Sequence, residues 1–383
     1  MIRRITFAGE EIPSFERAAV IVKQVGGAEV SAKTVERITH QIGVELGEIR
    51  DTGEVIANAP AEPPDLAVIE IDGGRVLTRS AGQGPGVHGP AWRENKNACL
   101  IRMQSEEHER DPHPALPEAF CNHEHVAEIA GFSVPENLLV PESRSLLDDC
   151  MRSTEWRPER LFRTVVSSMV DSREFGSMVT VEAEARRFDE AQKKAFLGDG
   201  LGYNWAIWRD CFPDYVPIVD FIHVLEYTYA AARTMESDID QAWSVYLAMA
   251  EACWQGRVTD VIGLLDTWLR KTGWSAGETI SEDDWRWKVF AAHRYFTNNQ
   301  SRMDYARYRQ QGLPVTSALA ESLVKEINLR VKGTEMFWND PDGAEAILQV
   351  RAAALSEDDR LENYLLSRPG CVSVRRTTQQ TAA

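Results

Sequence analysis

The sequence predicts an α/β fold, a mixed sheet with flanking helices that is interrupted by an all-helical insertion domain. Two observations carry this prediction. From residue 66 to residue 235, short apolar runs rich in β-formers alternate with amphipathic segments. Residues 236–313 are instead almost wholly helical in pattern and rich in tryptophan and tyrosine. At 383 residues the chain is long enough for more than one domain.

The first 50 residues predict a small helical region with a helix-turn-helix outline. Residues 15–25 are amphipathic, Gly26-Gly27 separates them from a second helix, and Ser31 is a suitable N-cap for that helix. Two small packing helices without DNA contact explain the same pattern equally well. Residues 51–65 are rich in proline and acidic side chains, and they predict a linker.

Three consecutive strands are predicted to begin the sheet, at residues 66–71, 75–79 and 98–103. The Gly73-Gly74 pair lies between the first two of these runs and indicates a hairpin turn. The sheet is therefore expected to start with a tight antiparallel pair.

Further elements complete the sheet. Residues 141–192 are predicted to be largely helical, and strands follow at residues 195–197 and 216–219. Helices are predicted after both strands, beginning near Tyr203 and at Phe221. The order is three strands, helix, strand, helix, strand, helix, and it matches the ribonuclease H topology.

These segments predict a domain organisation in six regions. They are a small helical region at 1–50, a linker at 51–65, the first part of a ribonuclease H-like core at 66–235, a helical insertion at 236–313, the last part of the core with its catalytic helix at 314–355, and a C-terminal tail at 356–383.

Three acidic residues stand where metal ligands would be placed. Asp72 and Asp199 each end an apolar strand-like run, and Glu321 opens a helical stretch. Nucleases and transposases of the ribonuclease H type supply their metal ligands in this order. Taken singly, each acid has an ordinary explanation as a turn residue, an N-cap or a first-turn glutamate. Their order on these elements favours a site for Mg²⁺ or Mn²⁺.

Asp220 and His223 form a fourth feature, directly after the fifth predicted strand. At a spacing of three residues on a helix start, the two side chains share a face and could position DNA or a water molecule. An N-cap aspartate followed by a packed histidine explains the same pair.

The charge distribution bears on DNA binding. The formal net charge of −17 counts against nucleic-acid binding, whereas residues 285–332 contain nine lysines and arginines against three acidic residues. A solvated helical face explains any one of these charges as well. Tyr305, Tyr308 and Trp338 could stack on unpaired bases, although core packing is the preferred explanation. The residues predicted to hold phosphates are Arg302, Arg307, Arg309, Lys325, Arg330 and Lys332.

Cysteine usage and hydropathy indicate the cellular compartment that is expected for the chain. The six cysteines include no Cys-x-x-Cys pair, which is typical of a reducing compartment. Cys121, His123 and His125 could bind a metal, but a polar loop is the simpler interpretation. No apolar run reaches the ~20 residues that cross a bilayer, and the start lacks the apolar core of a secretion signal. A cytoplasmic protein without a membrane span is expected.

Taken together, the motifs resemble bacterial insertion-sequence transposases of the ISKra type, which are related to the Mutator-like group. The resemblance covers roughly residues 15–355. Its main motifs are Ile71-Asp72-Gly-Gly-Arg75, Trp92-Arg93-Glu94-Asn-Lys96, Leu197-Gly-Asp199-Gly200, Val219-Asp220-Phe-Ile-His223-Val-Leu-Glu226, Tyr295-Phe-Thr-Asn-Asn299 and Glu321-Ser322.

The resemblance implies a DNA transposase of the Asp-Asp-Glu (DDE) type, which cuts and joins the ends of an insertion sequence with Mg²⁺ or Mn²⁺. It implies Asp72, Asp199 and Glu321 as the catalytic and metal-binding triad, and Asp220 with His223 as an accessory signature. Its partners would be DNA and further copies of the chain.

The chain departs from the family pattern before Glu321. Residues 314–320 contain Thr316 and Ala318 where the family usually has the glycines of a Gly-Ser-Gly turn. The alternative function is therefore a degenerate or repurposed transposase that binds DNA or protein without catalysis.

Overall fold

A computed structural model describes residues 1–51, 60, 62–79, 91–132, 157–332 and 338–368. For residues 318–322 it describes the backbone only. The predicted linker lies partly outside these ranges, as does the end of the predicted C-terminal tail. No helix of the described ranges is long and apolar enough to cross a membrane.

A five-stranded mixed sheet lies at the centre of the fold. Its strands are β1 Leu66–Thr78, β2 Ala91–Gln104, β3 Glu159–Ser168, β4 Lys193–Gly198 and β5 Val216–Val219. They lie in the order β3-β2-β1-β4-β5. β2 is antiparallel to β1 and β3, whereas β4 is parallel to β1 and β5. The predicted mixed α/β sheet with flanking helices is confirmed.

The predicted hairpin at Gly73-Gly74 is wrong. β1 runs unbroken through both glycines, which pair with Lys96 and Asn95 of β2. A Cβ atom at Gly74 would lie 2.6 Å from the Asn95 side chain, so the close approach of the two strands requires glycine there. The first two predicted strands are therefore one long strand, and Asp72 lies within it rather than at its end.

The third strand of the sheet falls in a segment that was predicted to be helical. β3 contains the run Thr164-Val165-Val166, and these β-branched side chains favour a strand over a helix. The helix of this region begins only at Ser172, where the Asp171 side chain accepts hydrogen bonds from the amides of Arg173 and Glu174.

The helices surround the sheet and also form a separate helical stretch between β5 and the C-terminal part. They are α1 Ile2–Glu11, α2 Phe15–Gly26, α3 Ala32–Asp51, α4 His123–Ile129, α5 Ser172–Ala185, α6 Gly202–Cys211, α7 Phe221–Met235, α8 Ile239–Trp254, α9 Val258–Lys271, α10 Trp287–Asn299, α11 Tyr305–Gln310, α12 Ala318–Val331, α13 Pro341–Leu355 and α14 Arg360–Ser367.

Three helices pack on the sheet or on other helices near the site. α12 lies against β1 and β2, α13 packs on β3, and α7 packs against both α8 and α10. The sheet and the helical stretch share one hydrophobic core, which includes Trp254 and Phe296 from the latter. α12 is therefore held against β1, far along the chain from that strand.

The N-terminal helices form a small unit that also contacts the C-terminal part. Gly27 ends α2 with φ +66°, and the Ser31 hydroxyl accepts a hydrogen bond from the Thr34 amide at the start of α3. Both features agree with the predicted outline. α1, which the sequence did not suggest, completes the unit by burying Ile5 against α2 and α3.

Candidate metal centre

Asp72 and Asp199 lie next to each other on the sheet. The parallel pairing of β1 with β4 ends at Ile71 and Gly198. Asp72 follows Ile71 and Asp199 follows Gly198, so the two aspartates lie side by side just beyond the β1–β4 pairing. This is the place in an α/β sheet, beyond the carboxyl ends of parallel strands, where ligands are commonly bound.

Backbone amides and one asparagine hold the two carboxylates. Asp72 Oδ1 accepts a hydrogen bond from the Gly73 amide at 2.7 Å. Asp199 Oδ1 accepts from the Leu201 amide and from Asn204 Nδ2, both at 2.8 Å. Asn204 is fully buried, so the Asp199 carboxylate is fixed on the turn between β4 and α6. Within the described residues these hydrogen bonds reach the Oδ1 atoms, which leaves the Oδ2 atoms to face a cation.

His223 on α7 completes a cluster of three. One ligand atom from each of Asp72, Asp199 and His223 lies within 4.8 Å of the other two. In the described part of the chain this is the one such group of three or more metal-ligating side chains. His223 Nδ1 lies 3.1 Å from Glu226 Oε2, so Nε2 is the ring nitrogen left for a metal. A carboxylate on the second nitrogen is the usual support of a metal-binding histidine.

Burial and neighbouring charges shift the pKa values of all three side chains of the cluster. Burial raises the pKa of Asp72 to about 6, a shift that His223 reduces and Asp199 increases. Burial also raises the pKa of Asp199. For His223, burial favours the neutral ring, but the hydrogen bond to Glu226 and the charges of Asp220 and Asp199 outweigh it and raise the pKa to about 10. The metal-free site thus balances two crowded carboxylates with an imidazolium.

The donor set fits a divalent cation. Mg²⁺ takes carboxylate oxygens and keeps several waters, whereas Mn²⁺ also accepts imidazole nitrogen. His223 has to lose its proton to coordinate, so cation binding releases a proton. Of the two ions that the sequence predicts, the presence of His223 favours Mn²⁺.

Glu321 lies on α12, but its side chain is outside the described residues. The helix packs against β1, the strand that carries Asp72. The role of Glu321 as a third carboxylate ligand stays a prediction.

Asp220 is placed behind the cluster rather than within it. The residue is fully buried and caps α7 by accepting a hydrogen bond from the Ile222 amide at 3.1 Å. The same carboxylate accepts from the Ser317 amide at 3.0 Å and from the Ser317 hydroxyl. Ser317 immediately precedes α12. Asp220 therefore joins the start of the helix of His223 to the start of the helix of Glu321.

Two of the six basic residues predicted to contact DNA have structural roles instead. Arg309 is fully buried, pairs with Asp111 and lies 3.9 Å from the centre of the Trp254 ring. Arg330 is 1 % exposed and donates a hydrogen bond from Nε to the Gly9 carbonyl. A buried guanidinium cannot contact a phosphate group, so the prediction for these two arginines is corrected.

The other basic residues of that set are accessible. Arg307, Lys325 and Lys332 are exposed, and Arg302 is partly exposed with its guanidinium over the Trp205 ring. Their contact with DNA stays a prediction.

The three aromatic residues considered for base stacking are buried in the core. Tyr305 and Tyr308 donate their hydroxyl hydrogens to the carbonyls of Val219 and Pro217, which fixes α11 to β5. Trp338 is 9 % exposed. The core-packing interpretation is confirmed for all three.

Cys121, His123 and His125 do not form a metal cluster in the described chain. They lie on a 3₁₀ turn and α4 rather than in a polar loop. The His123 ring stacks on Trp243 at 4.4 Å, and its Nε2 lies 2.9 Å from the Tyr229 hydroxyl. Aromatic packing accounts for this histidine.

Two supporting residues of the site were not singled out from the sequence. Glu226 stands three residues after His223, which is the spacing of a shared helix face, so its signal was present. Asn204 contacts Asp199 only because Gly200, with φ +95°, turns the chain between β4 and α6. No local pattern marks that contact.

No protein-family model matches this chain, and no curated protein is significantly similar to it. The class of protein is therefore argued from the sheet, the site and the quoted motifs.

Proposed function

We propose that this chain is a metal-dependent DNA transposase of the DDE type, and that Asp72 and Asp199 bind the catalytic cation. The observation that carries the proposal is the convergence of these two aspartates from neighbouring parallel strands. Two carboxylates, a histidine and a supporting glutamate form a donor set for a hard or borderline divalent cation.

The sheet supports a ribonuclease H-like fold as the finer description. Three antiparallel strands β3-β2-β1 followed by β4 and β5 parallel to β1 are the arrangement that the predicted topology requires. The helices α8 to α11 stand between the second aspartate and Glu321, where the resemblance implies an inserted helical domain.

The residues of the site have distinct tasks in phosphodiester cleavage. Bound divalent ions would activate the attacking oxygen and stabilise the leaving oxygen. Asp72 and Asp199 would hold the first cation through their carboxylate oxygens, and Glu321 would complete a second position. Asn204 and the Leu201 amide keep the Asp199 carboxylate in one orientation, which would fix the position of a cation bound there.

The reaction would proceed in two stages at one centre. Water would attack a phosphodiester at the element end, leaving a 3′-hydroxyl on one side of the cut and a 5′-phosphate on the other. That 3′-hydroxyl would then attack a phosphodiester of the target DNA, join to its 5′-phosphate and release a 3′-hydroxyl on the target strand. Exposed Arg307, Lys325 and Lys332 would neutralise phosphates along the substrate. Paired element ends call for a homo-oligomer, and we propose a cytoplasmic setting.

A nicking assay tests this function. Supercoiled plasmid carrying the DNA that flanks this gene is incubated with the full chain and Mn²⁺ or Mg²⁺, and relaxed product is measured. The wild type is expected to nick with metal and not with EDTA. Asp199→Ala should lose activity, while the surface variant Asp210→Ala should keep it. Full activity in Asp199→Ala would reject the assignment.

The burial of two predicted DNA contacts, together with the net charge of −17, favours one alternative: a repurposed transposase that binds without cutting. Its distinguishing result is binding of DNA or protein with no metal-dependent nicking by the wild type.

A further inference from the structure

A cavity of about 380 Å³ lies beside the candidate metal centre. Its wall includes residues 200–202, which directly follow Asp199, and Glu226, which contacts His223. From α10 on the other side, the Tyr295 hydroxyl donates a hydrogen bond to the Asp199 carbonyl at 3.0 Å. Because the cavity and the metal centre share these residues, a group held in one lies next to the other.

Aromatic rings form part of the cavity wall. Tyr227 and Tyr295 stack with their ring centres 3.9 Å apart and 16° between their planes. Trp287, at the first position of α10, also lines the cavity and is partly exposed. Tyr227 and Trp287 are partly exposed, unlike the buried Tyr305 and Tyr308, so a planar ligand in the cavity can reach them. Tyr295, which is 8 % exposed, supports the Tyr227 ring from behind.

Two positively charged side chains also line the cavity wall. Lys288 and Arg294 are exposed, and neither forms an ion pair with a carboxylate of the described residues. The Arg294 guanidinium lies 5.6 Å from the centre of the Trp287 ring. In a chain with net charge −17, cations that meet no carboxylate among the described residues and lie beside an aromatic cavity are suited to an anionic ligand.

The side chains of the cavity wall restrict the class of ligand that fits the cavity. A free anion would make no use of the rings, and a purely apolar ligand would leave Lys288, Arg294 and Glu226 at its edge without function. The exposed Asn298 amide can both donate to and accept from the edge of a base. A planar heterocycle linked to a phosphate uses all of these groups, and the volume is in the range of small-ligand sites.

We propose that this cavity takes one unpaired nucleotide of the DNA strand that is cut at Asp72 and Asp199. Its base stacks on Trp287 and Tyr227, and its phosphate is held by Arg294 and Lys288. The proposal rests on the proposed function, since the neighbouring metal centre is what brings a phosphodiester to this place. It assigns the cavity to single-stranded rather than paired DNA.

Fluorescence anisotropy with the full chain in EDTA tests the proposal without cleavage. The probes are a fluorescein-labelled oligothymidylate and an abasic oligonucleotide of equal length, which has the same phosphates and no bases. The wild type should bind the thymidylate more tightly. Trp287→Ala should weaken thymidylate binding by about tenfold and remove the difference between the probes. Trp287→Phe, which keeps a ring, should restore most of it.

The chain offers a control variant for the aromatic contact of Trp287 and another for the ionic contact of Arg294. Trp285 is also exposed but its ring packs on Trp268 outside the cavity, so Trp285→Ala should bind like the wild type. Arg294→Gln should weaken the binding of both probes. Lys271→Gln should weaken neither, because Lys271 is an exposed lysine on α9 outside the cavity. Circular dichroism confirms that each variant is folded.

The outcomes separate this inference from the proposed function. Equal wild-type affinity for the two probes, or equal effects of Trp287→Ala and Trp285→Ala, would overturn the nucleotide pocket. If metal-dependent nicking persists in that case, the transposase assignment still stands. Conversely, binding that depends on Trp287, with no nicking by the wild type, would support the pocket and reject the cutting function.

Discussion

The hydroxyl and the amide of Ser317 both donate hydrogen bonds to the buried carboxylate of Asp220. This contact joins the segment before α12 to the first turn of α7, and the Phe221 amide adds a hydrogen bond to the Val315 carbonyl at 3.0 Å. The described backbone from residue 313 to residue 318 contains no positive φ. Thr316 and Ala318 therefore need no glycine conformation, and the glycine-free approach to Glu321 is held by hydrogen bonds instead.

Removal of the Asp220 carboxylate should weaken the fold at this junction. Asp220→Ala leaves the buried Ser317 and the Ile222 amide without their acceptor, so we expect the free energy of unfolding to fall by about 2–3 kcal/mol. Urea unfolding followed by tryptophan fluorescence measures this loss. Asp171→Ala is the control, since the Asp171 side chain caps α5 and its hydrogen bonds in the described chain lie within that cap. Equal losses in the two variants would show that the link to α12 contributes nothing.

Cation binding should be visible as a stability change. Asp199→Asn removes one of two crowded, partly buried carboxylates, so its melting temperature in EDTA should equal or exceed that of the wild type. Mn²⁺ at roughly 100 times its Kd should stabilise the wild type by about 2.7 kcal/mol and leave the variant unchanged. Differential scanning calorimetry with and without Mn²⁺ gives both values. The exposed Asp210→Asn should respond like the wild type, and a Mn²⁺ shift retained in Asp199→Asn would contradict the site.

Local signals predicted four of the five strands, but neither the continuity of β1 nor the position of β3. A run of apolar β-formers followed by Asp-Gly marked Asp199 correctly as the residue after a strand, whereas Asp72 lies within β1. The Gly73-Gly74 pair indicates a turn when viewed locally, and only its pairing with β2 shows that the strand continues. β3 was missed because its short β-branched run lies among residues with a helical pattern.

Burial of charge was the least predictable feature. Arg309 pairs with Asp111, which lies 198 residues earlier, so no window of sequence distinguishes it from the exposed Arg307. The same holds for Arg330 and its partner carbonyl at Gly9. A basic stretch therefore predicts positive charge in a region, while the tertiary contacts decide which side chains are free to meet a phosphate.

The histidine of the cluster should depend on its supporting carboxylate. Glu226→Gln keeps the size of the side chain but removes the charge that orients His223 through Nδ1. We expect the Mn²⁺ affinity to fall by about 10–100-fold, as is typical when such a partner is changed. Isothermal titration calorimetry measures the affinity. Glu236→Gln, at the other end of α7 and outside the site, should leave it unchanged, and an equal affinity in both variants would contradict the supporting role.

Substitution of Arg307 should affect DNA binding, whereas substitution of Arg309, two positions later, should affect stability. Arg307→Gln should lower the slope of log Kd against log salt for DNA binding by about one, with little change in stability, because Arg307 is exposed. Arg309→Gln should destabilise the fold by about 3–5 kcal/mol, because Asp111 loses its buried partner. Urea unfolding and salt-dependent anisotropy on the same preparations distinguish the two roles. A stable Arg309→Gln with a reduced salt slope would restore it to the DNA contacts.

A network of buried charges joins α5 to α14. Arg360 Nη2 lies 2.5 Å from Glu182 and 2.7 Å from Asp358, and Arg186 contacts both acids as well. Burial alone would raise the pKa of both acids, but the two arginines outweigh it and lower them below their ordinary values of 4.5 and 3.8. The charged forms of Glu182 and Asp358 therefore stabilise the folded state at pH values above their ordinary pKa values. This stabilisation is lost as the pH falls through the lowered pKa values of the folded state.

Arg360→Met should reduce stability at neutral pH by about 3 kcal/mol, because Glu182 and Asp358 then share only Arg186. The loss should shrink in acid, since protonated carboxyl groups no longer need a cation, so the variant should show a shallower decline in stability below about pH 4.5. Urea unfolding at a series of pH values measures both effects. Arg257→Met breaks an exposed pair with Asp260 on one helix and should change neither. A pH profile of Arg360→Met parallel to that of the wild type would show that these acids do not gain their stabilising charge from Arg360.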